Sequence, residues 1–286
     1  MPMVVAGKEP GPARKALRHG MLIAASFVMV YPLLWLIASA FKPENQIFHS
    51  LSLIPSEIVF SNFSEGWNAL RVSFTRFFEN SFLIAGLAVI GNVLACSLTA
   101  FAFARLNFRL KKFWFAIMLG TLMLPYHVTL VPQYILFLHL GWVNTFLPLV
   151  VPKFLAVDAF FIFLMVQFFR GIPREIDEAA IMDGCGPWRI YWRIMLPLSL
   201  PVLATAAIFS FIWTYDDFLG PLIYLNDMRQ YTVPLALRAF IDSSGGESLY
   251  GEMFAMSALS LLPVFVVFLA FQKLIIRGVT VGALKR

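Results

Sequence analysis

The sequence predicts an all-α polytopic membrane protein with six transmembrane helices and a short cytoplasmic helix between the fourth and fifth. Three observations carry this. Hydrophobic residues make up 60% of the 286 positions and charged ones only 13%, with a mean hydropathy of +0.79, well beyond the ~45–50% apolar content of soluble domains. The charges are clustered, leaving uncharged runs as long as Phe113 to Pro152. Glycines and prolines fall inside the apolar runs, which spanning helices tolerate and soluble helices rarely do. The alternating ten-residue pattern of an outer-membrane barrel is missing.

Six apolar segments follow in order: Met21 to Phe41, Asn80 to Ala104, Phe113 to Leu138, Asn144 to Phe168, Leu196 to Tyr224 and Met253 to Gln272. Each approaches the ~20 residues needed to cross the hydrocarbon core. The third and fourth share one charge-free stretch, about 60 Å long as a helix and twice the hydrocarbon thickness. It must fold back, and Leu140 to Asn144 is the predicted turn. The first segment has a basic flank and a small-residue Ala38-Ser39-Ala40 site like those of cleaved leaders. Its apolar core of about 17 residues exceeds the 7–15 of a leader, so it is expected to stay as a span.

Basic residues fix the predicted orientation, because they remain preferentially on the cytoplasmic side. Lys8, Arg14, Lys15, Arg18, Arg105, Arg109, Lys111, Lys112, Arg170, Arg174, Arg189, Arg193, Lys273, Arg277, Lys285 and Arg286 share one side, against Lys42, Arg71, Arg76, Arg229 and Arg238 on the other. Both termini are therefore expected in the cytoplasm. The predicted organisation is a cytoplasmic segment over 1–20, a membrane domain over 21–276 and a cytoplasmic tail over 277–286. The formal charge of +6 is explained by this topology. Without aromatic residues interleaved among the basic ones, it does not describe a nucleic-acid groove. Cys96 lies in an apolar run and Cys185 in a charged loop, so no disulfide and no metal site are expected. The outer connections, Lys42 to Glu79 and Leu225 to Glu252, are too short for a domain with its own core. They read as loops for an outside partner or as plain solvated connections.

The connection from Gly171 to Pro197 is organised. Pro173 suits a first helical position, Glu175, Asp177 and Glu178 place negative charge in the opening turns, and Gly184 supplies a stop. The spacing predicts a helix from Pro173 to Asp183 with Ile176, Ala179 and Ala180 on one shallow face. Such a face invites close approach by a cytoplasmic protein. A helix lying on lipid is the alternative, but its acidic turns would be repelled by an anionic leaflet. From Pro187 a second helical stretch, with Trp188, Tyr191 and Trp192 at headgroup level, leads into span five. A push on the short helix would be passed into that span.

Glu178-Ala179-Ala180, three residues, Gly184, nine residues, Ile194, one residue and Leu196-Pro197 resemble the EAA loop of binding-protein-dependent ABC importer permeases at every signature position. The resemblance implies that this segment is a coupling helix seated in a cleft of a separate ATPase, with Glu178, Ala179, Ala180, Asp183 and Gly184 in that role. Asn80-Ser81, Ala100 to Leu106, Met123-Leu124-Pro125, Pro263 and Arg277 to Lys285 resemble the carbohydrate-type permeases of the maltose and glycerol-3-phosphate kind. Trp213-Thr214 departs from that group's Trp-Asn. The resemblance further implies a bacterial inner-membrane location and alternating access. It also implies a second related permease subunit, two ATPase chains carrying ATP and Mg, a periplasmic or extracellular solute-binding protein and a carbohydrate-type solute, with no cofactor in this chain.

Ionisable groups at membrane depth are costly and usually face a bundle interior or a wet cavity. Asp216, Asp217 and Tyr215 in span five, His127 and Gln133 in span three, and Asp158 in span four with Lys153 as its charge partner are the solute-pathway candidates. The alternative is structural: Asp216 and Asp217 cap a broken helix, His127 satisfies a carbonyl freed beside Pro125, and Lys153 snorkels. Neither a Gly-Lys-Ser/Thr phosphate loop nor a hydrolase motif occurs, so energy is expected from a partner. An ion-coupled secondary carrier using Asp158, Asp216 or Asp217 is the competing function.

Overall fold

The computed structural model describes residues 12–49, 52–243 and 249–283. Lys8, Ser244 to Gly246, Lys285 and Arg286 lie outside the described residues. Twelve helices matter here: α1 Pro12–Ser39, α2 Ser61–Asn68, α3 Phe74–Arg105, α4 Lys111–Thr121, α5 Tyr126–His139, α6 Ala159–Gly171, α7 Glu175–Met182, α8 Pro187–Leu198, α9 Leu200–Tyr215, α10 Leu219–Tyr224, α11 Val233–Ser243 and α12 Tyr250–Ala283. No strand occurs among the described residues, as the sequence predicts.

Four stretches are long and apolar enough to cross a membrane as they stand: Lys15–Ser39, Phe74–Arg105, Leu147–Gly171 and Tyr250–Gln272. α8 and α9, which meet at Ser199 with a bend of 78°, are together long and apolar enough to cross and make a fifth where the bent pair is one span. The third predicted span is not one helix. It is split into α4, of 11 residues, and α5, of 14, about 17 and 21 Å long and each shorter than the ~30 Å hydrocarbon core. Pro125 explains the break, since it lacks an N–H, clashes with the preceding turn and keeps Leu124 out of helical geometry.

Prolines and a left-handed residue also interrupt the fourth segment. A single α-turn, Leu147–Val150, passes into a 3-10 turn, Val151–Leu155, and then through Ala156 at φ +55 before α6 begins. The predicted turn before it forms around Gly141 (φ +68) and Asn144 (φ +61). Asn144 donates its N–H to the Tyr224 carbonyl at 2.7 Å, and its Oδ1 accepts from the N–H groups of Asn226 and Asp227, both at 3.0 Å. Asparagine is the residue type that reaches this backbone region most cheaply after glycine.

The described chain divides into two compact units, residues 1–66 with 244–259 and residues 67–243 with 260–286. In the first, Asn62 Nδ2 donates to the carbonyls of Ala40 and Lys42, both at 3.0 Å. Lys42, counted above with the outer cations, is buried with its ammonium 5.9 Å above the Trp35 ring. Burial lowers the Lys42 pKa, because the charged form loses hydration. Trp35 also meets Phe254 edge to face at 5.3 Å.

The second unit is organised on α3. Its Cys96, Ala100, Phe101 and Ala104 pack with Phe161, Met165 and Phe169 of α6, with Met195 of α8 and with Val202 and Ala206 of α9. The alanines allow the close approach that packs helices in lipid, where dispersion and shape replace the hydrophobic effect. Buried polar side chains on α3 bond neighbouring elements. Asn80 Nδ2 donates to the carbonyls of Arg229 and Tyr231, both at 2.9 Å, and Ser81 Oγ accepts from Val233 N–H at 2.8 Å. Asn92 Nδ2 donates to Ser210 Oγ at 2.9 Å, and Ser97 Oγ lies 2.8 Å from the Tyr191 hydroxyl.

Candidate coupling segment and transport pathway

The expected short helix forms as α7, one or two residues shorter at each end than the spacing predicts. Glu175, Asp177 and Glu178 occupy its first turn, where the unpaired N–H groups favour negative charge. Its end is closed by two bonds: Gly184 N–H to the Ile181 carbonyl and Cys185 N–H to the Ala180 carbonyl, both at 2.9 Å. This is the paired cap that a left-handed residue permits, and Gly184 supplies it at φ +76. A side chain there would meet nothing within 4 Å, so glycine is required by backbone conformation and not by space.

The small face is arranged differently from the spacing argument. Ala180 is 5% exposed and belongs to the helix-packing core, whereas Ala179, Ile181 and Met182 are exposed, the last at 88%. Ala180 therefore fixes α7 to its own chain. The open surface is carried by Glu178, Ala179, Ile181, Met182 and Asp183. Asp177 turns inward to an ion pair with Arg105, Nε to Oδ2 2.9 Å, with the two side chains 6% and 14% exposed. Arg105 Nη2 also donates to the Ile172 carbonyl at 2.7 Å. Other cations stand around this pair: Lys111 donates to the Leu106 carbonyl at 2.7 Å, and the Arg170 guanidinium lies 5.0 Å over the Phe115 ring. Burial first, then Arg170 and Arg174, lower the Lys111 pKa.

Beyond Gly186 the chain enters α8, whose middle, Tyr191–Met195, is wound as a π-helix. Trp188 and Trp192 are exposed as predicted for headgroup residues, at 63% and 52%. Tyr191 is not. It is buried in the core with its hydroxyl on Ser97 and its ring between Phe101 of α3 and the two tryptophans, which lie 6.2 and 5.2 Å away.

The pathway candidates fall into three places. Tyr215 is buried, its hydroxyl donating to the Ser260 carbonyl at 3.2 Å and its ring against Phe82 and Phe211, so it is committed to packing. His127 is exposed and Gln133 half-buried, both on α5. Asp158 stands in the break of the fourth segment and pairs with Lys153 at 3.1 Å, as its spacing predicts, each side chain 28% exposed. Asp217 accepts from Gly220 N–H at 3.1 Å and so caps α10, while Asp216 is exposed. The breaks of the fourth and fifth segments meet at Gly220, where a Cβ would lie against both Asp217 and Leu149, the latter at 2.9 Å. Gly91 of α3 permits close approach of the fourth segment's break: a Cβ there would lie 2.8 Å from the Phe154 ring and 3.0 Å from the Lys153 carbonyl carbon.

Sequence reasoning gave Arg105 only as a topological charge and as part of the Ala100 to Leu106 resemblance, and it missed the buried Asn92 and Ser97. An arginine closing a span four residues before Arg109 gives no signal that separates an anchor from a snorkelling side chain.

The architecture, several membrane-crossing helices with a capped helix between the fourth and fifth segments, defines a polytopic transport component. Residues 91–281 match the family described as binding-protein-dependent transport system inner membrane component, and the chain belongs to it. A probable ABC transporter permease protein of Bacillus subtilis (strain 168) is 34% identical over 258 residues, covering 90% of this chain and 84% of the relative. An arabinooligosaccharides transport system permease protein of Halalkalibacterium halodurans is 32% identical over 263 residues, covering 91% and 92%. The crystal structure of a bacterial ABC transporter involved in the import of the acidic polysaccharide alginate contains a chain of the same fold, with TM-score 0.82 at 19% identity over 96% of this chain and 99% of that one. The chain is accordingly a permease subunit of an ABC importer. Nothing in this family membership supports the ion-coupled carrier reading.

Proposed function

We propose that this chain is the inner-membrane permease subunit of an importer for a sugar or sugar-derived solute, driven by a separate ATPase that docks on α7. The observation that carries the docking reading is the form of α7 itself. It is closed at its end by Gly184, held from behind by Ala180 and Asp177, and left open on Glu178, Ala179, Ile181, Met182 and Asp183. A connection that only joined two spans would not hold a helix with its outward face unpartnered. The carbohydrate class is supported by the sequence motifs set out above and by the relative that carries arabinooligosaccharides.

On this reading the membrane domain, residues 21–276, crosses six times, with α4 and α5 as one broken crossing and both termini in the cytoplasm. It forms half a pathway and works beside a second, related permease. Two ATPase chains hold ATP and Mg, and this chain needs no cofactor of its own. A binding protein outside the membrane delivers solute to the outer loops, and ATP-driven closure of the ATPase pair moves α7. The Lys153, Asp158 and Asp217 group, at two helix breaks, is the part of the pathway best placed to meet a polar solute. Broken helices at membrane depth are tolerated where they line a cavity or are buried in protein. His127, Gln133 and Asp216 are its outlying members, and Tyr215 supports them through packing.

The test is Glu178→Lys in the assembled transporter. It reverses the charge at the open end of α7, where a negative group also suits the helix dipole. Membrane insertion should be unchanged, while recovery of the ATPase with the permease and ATP-dependent uptake of oligosaccharides should both fall by about tenfold or more. Normal recovery and uptake would reject α7 as the docking element.

A further inference from the structure

α7 is connected to the membrane by two routes. One is covalent: through Gly184 into α8 and on to α9. It passes a left-handed residue, a π turn and the 78° bend at Ser199, so that no single straight helix carries it. The other is non-covalent and more direct. Arg105, the last residue of α3, holds Asp177 through Nε at 2.9 Å and the Ile172 carbonyl through Nη2 at 2.7 Å. The guanidinium thereby pairs its charge with Asp177 of α7 and hydrogen-bonds the chain leading into that helix. Among the described residues Arg105 Nε and Asp177 Oδ1 have no hydrogen-bond partner, so the hold on α7 itself is that of a buried ion pair.

α3 behind this grip is continuous for 32 residues, about 48 Å at the helical rise, with neither proline nor a π turn. Its opposite end is fastened as firmly. Asn80 holds the Arg229 and Tyr231 carbonyls at 2.9 Å, and Ser81 takes the Val233 N–H at 2.8 Å. These three groups belong to the connection between α10 and α11 and to the first residue of α11, on the outer side. Midway, Asn92 bonds Ser210 and Ser97 bonds Tyr191, which ties the flexible route to the stiff one.

We infer that Arg105 is a positioning residue that hands movement of α7 to α3, and that α3 carries it across the membrane to the outer connection at 229–233. This rests on the reading of α7 as the ATPase-docking helix. Direct push through span five, the expectation from the loop sequence, becomes the secondary route.

The test uses the assembled transporter in proteoliposomes, in a chain with Cys96→Ser and Cys185→Ala so that one introduced cysteine takes an environment-sensitive dye. The dye is placed either at Gly186→Cys, just past the α7 cap and outside its docking face, where a side chain meets nothing within 4 Å, or at Asn226→Cys, beside the outer connection, and its response to ATP, Mg and vanadate is read. Without further change both positions should respond. With Arg105→Ala the α7 signal should persist while the outer signal falls by about tenfold, the upper range for single positions on a coupling route. Arg105→Lys, which keeps the charge but not the two-pronged grip, should fall between. The reversed pair Arg105→Asp with Asp177→Arg, which remakes the ion pair but not the bond to Ile172, should restore part of the outer signal, which a merely space-filling role would not. An undiminished outer signal in Arg105→Ala overturns the inference. So does a loss that the reversed pair leaves unrepaired, including the case in which Arg105→Ala fails to assemble. A silent α7 probe in the unaltered background would instead reject the docking reading itself.

Discussion

Gly184→Pro is expected to leave the chain in the membrane and to abolish ATP-driven uptake, by at least about a hundredfold. The residue sits at φ +76, a region closed to proline, and its N–H closes α7 on the Ile181 carbonyl. Proline removes that bond and forces φ near −65°, a change worth about 3 kcal/mol or more at a helix boundary that needs the N–H, which is over two decades in an equilibrium. Gly184→Ala keeps the N–H and has open space for its methyl group, so only the left-handed conformation is penalised, by about 1 kcal/mol. Uptake should therefore rank glycine above alanine well above proline, while the amount of inserted protein stays level. Equal uptake in all three would show that the cap does not matter.

Gly91→Val is expected to destabilise the bundle strongly. Its Cβ would meet the Phe154 ring at 2.8 Å and the Lys153 carbonyl carbon at 3.0 Å. A ring can turn away, but backbone in the break at Val151–Asp158 cannot shift without disturbing the Lys153–Asp158 pair. Overpacking of this kind costs about 1–3 kcal/mol, and branching adds a second methyl group to the clash. The melting midpoint of the detergent-solubilised transporter, followed by tryptophan fluorescence, should fall by about 4 °C or more. Gly91→Ala should fall less, and Gly86→Ala, with nothing within 4 Å of its Cβ, should not fall at all.

The helical membrane class was legible because composition and long uncharged runs leave no other way to hide the apolar surface. The loop from Gly171 to Pro197 was legible for a different reason. Its proline, acids and glycine each have one favoured place on a short helix, and the structure puts Glu175, Asp177 and Glu178 in the first turn and Gly184 at the stop. What periodicity does not reveal is which side of that helix faces the bundle. Ile176, Ala179 and Ala180 share a stripe by spacing, but Ala180 belongs to the buried core. Tyr191 read as an interfacial aromatic because a regular helix places it with Trp188 and Trp192. What buries it is Ser97 and Phe101 of α3, about ninety positions away.

The third segment read as a span with a carbonyl freed beside Pro125, and it breaks there into two helices; hydropathy, insensitive to a proline in an apolar run, does not separate a kink from a break. The polar contacts along α3 were opaque for a related reason. Asn92 and Ser97 are single residues in a long apolar segment, and their partners, Ser210 and Tyr191, lie about a hundred positions away. Lys153 and Asp158 were paired correctly because the partner is five residues away. Their relation to Asp217 depends on how two broken segments meet, and no local spacing encodes that.

The most direct measurement is maleimide labelling of Met182→Cys, a position 88% exposed at the end of α7, with Cys96 and Cys185 replaced. A membrane-impermeant reagent should leave intact spheroplasts unlabelled and should label inverted vesicles stripped of ATPase. Adding purified ATPase back should protect the site. Labelling from the outside, or labelling from the inside that the ATPase never diminishes, would contradict the assignment of α7 as the point where hydrolysis in a partner is converted into movement of this chain.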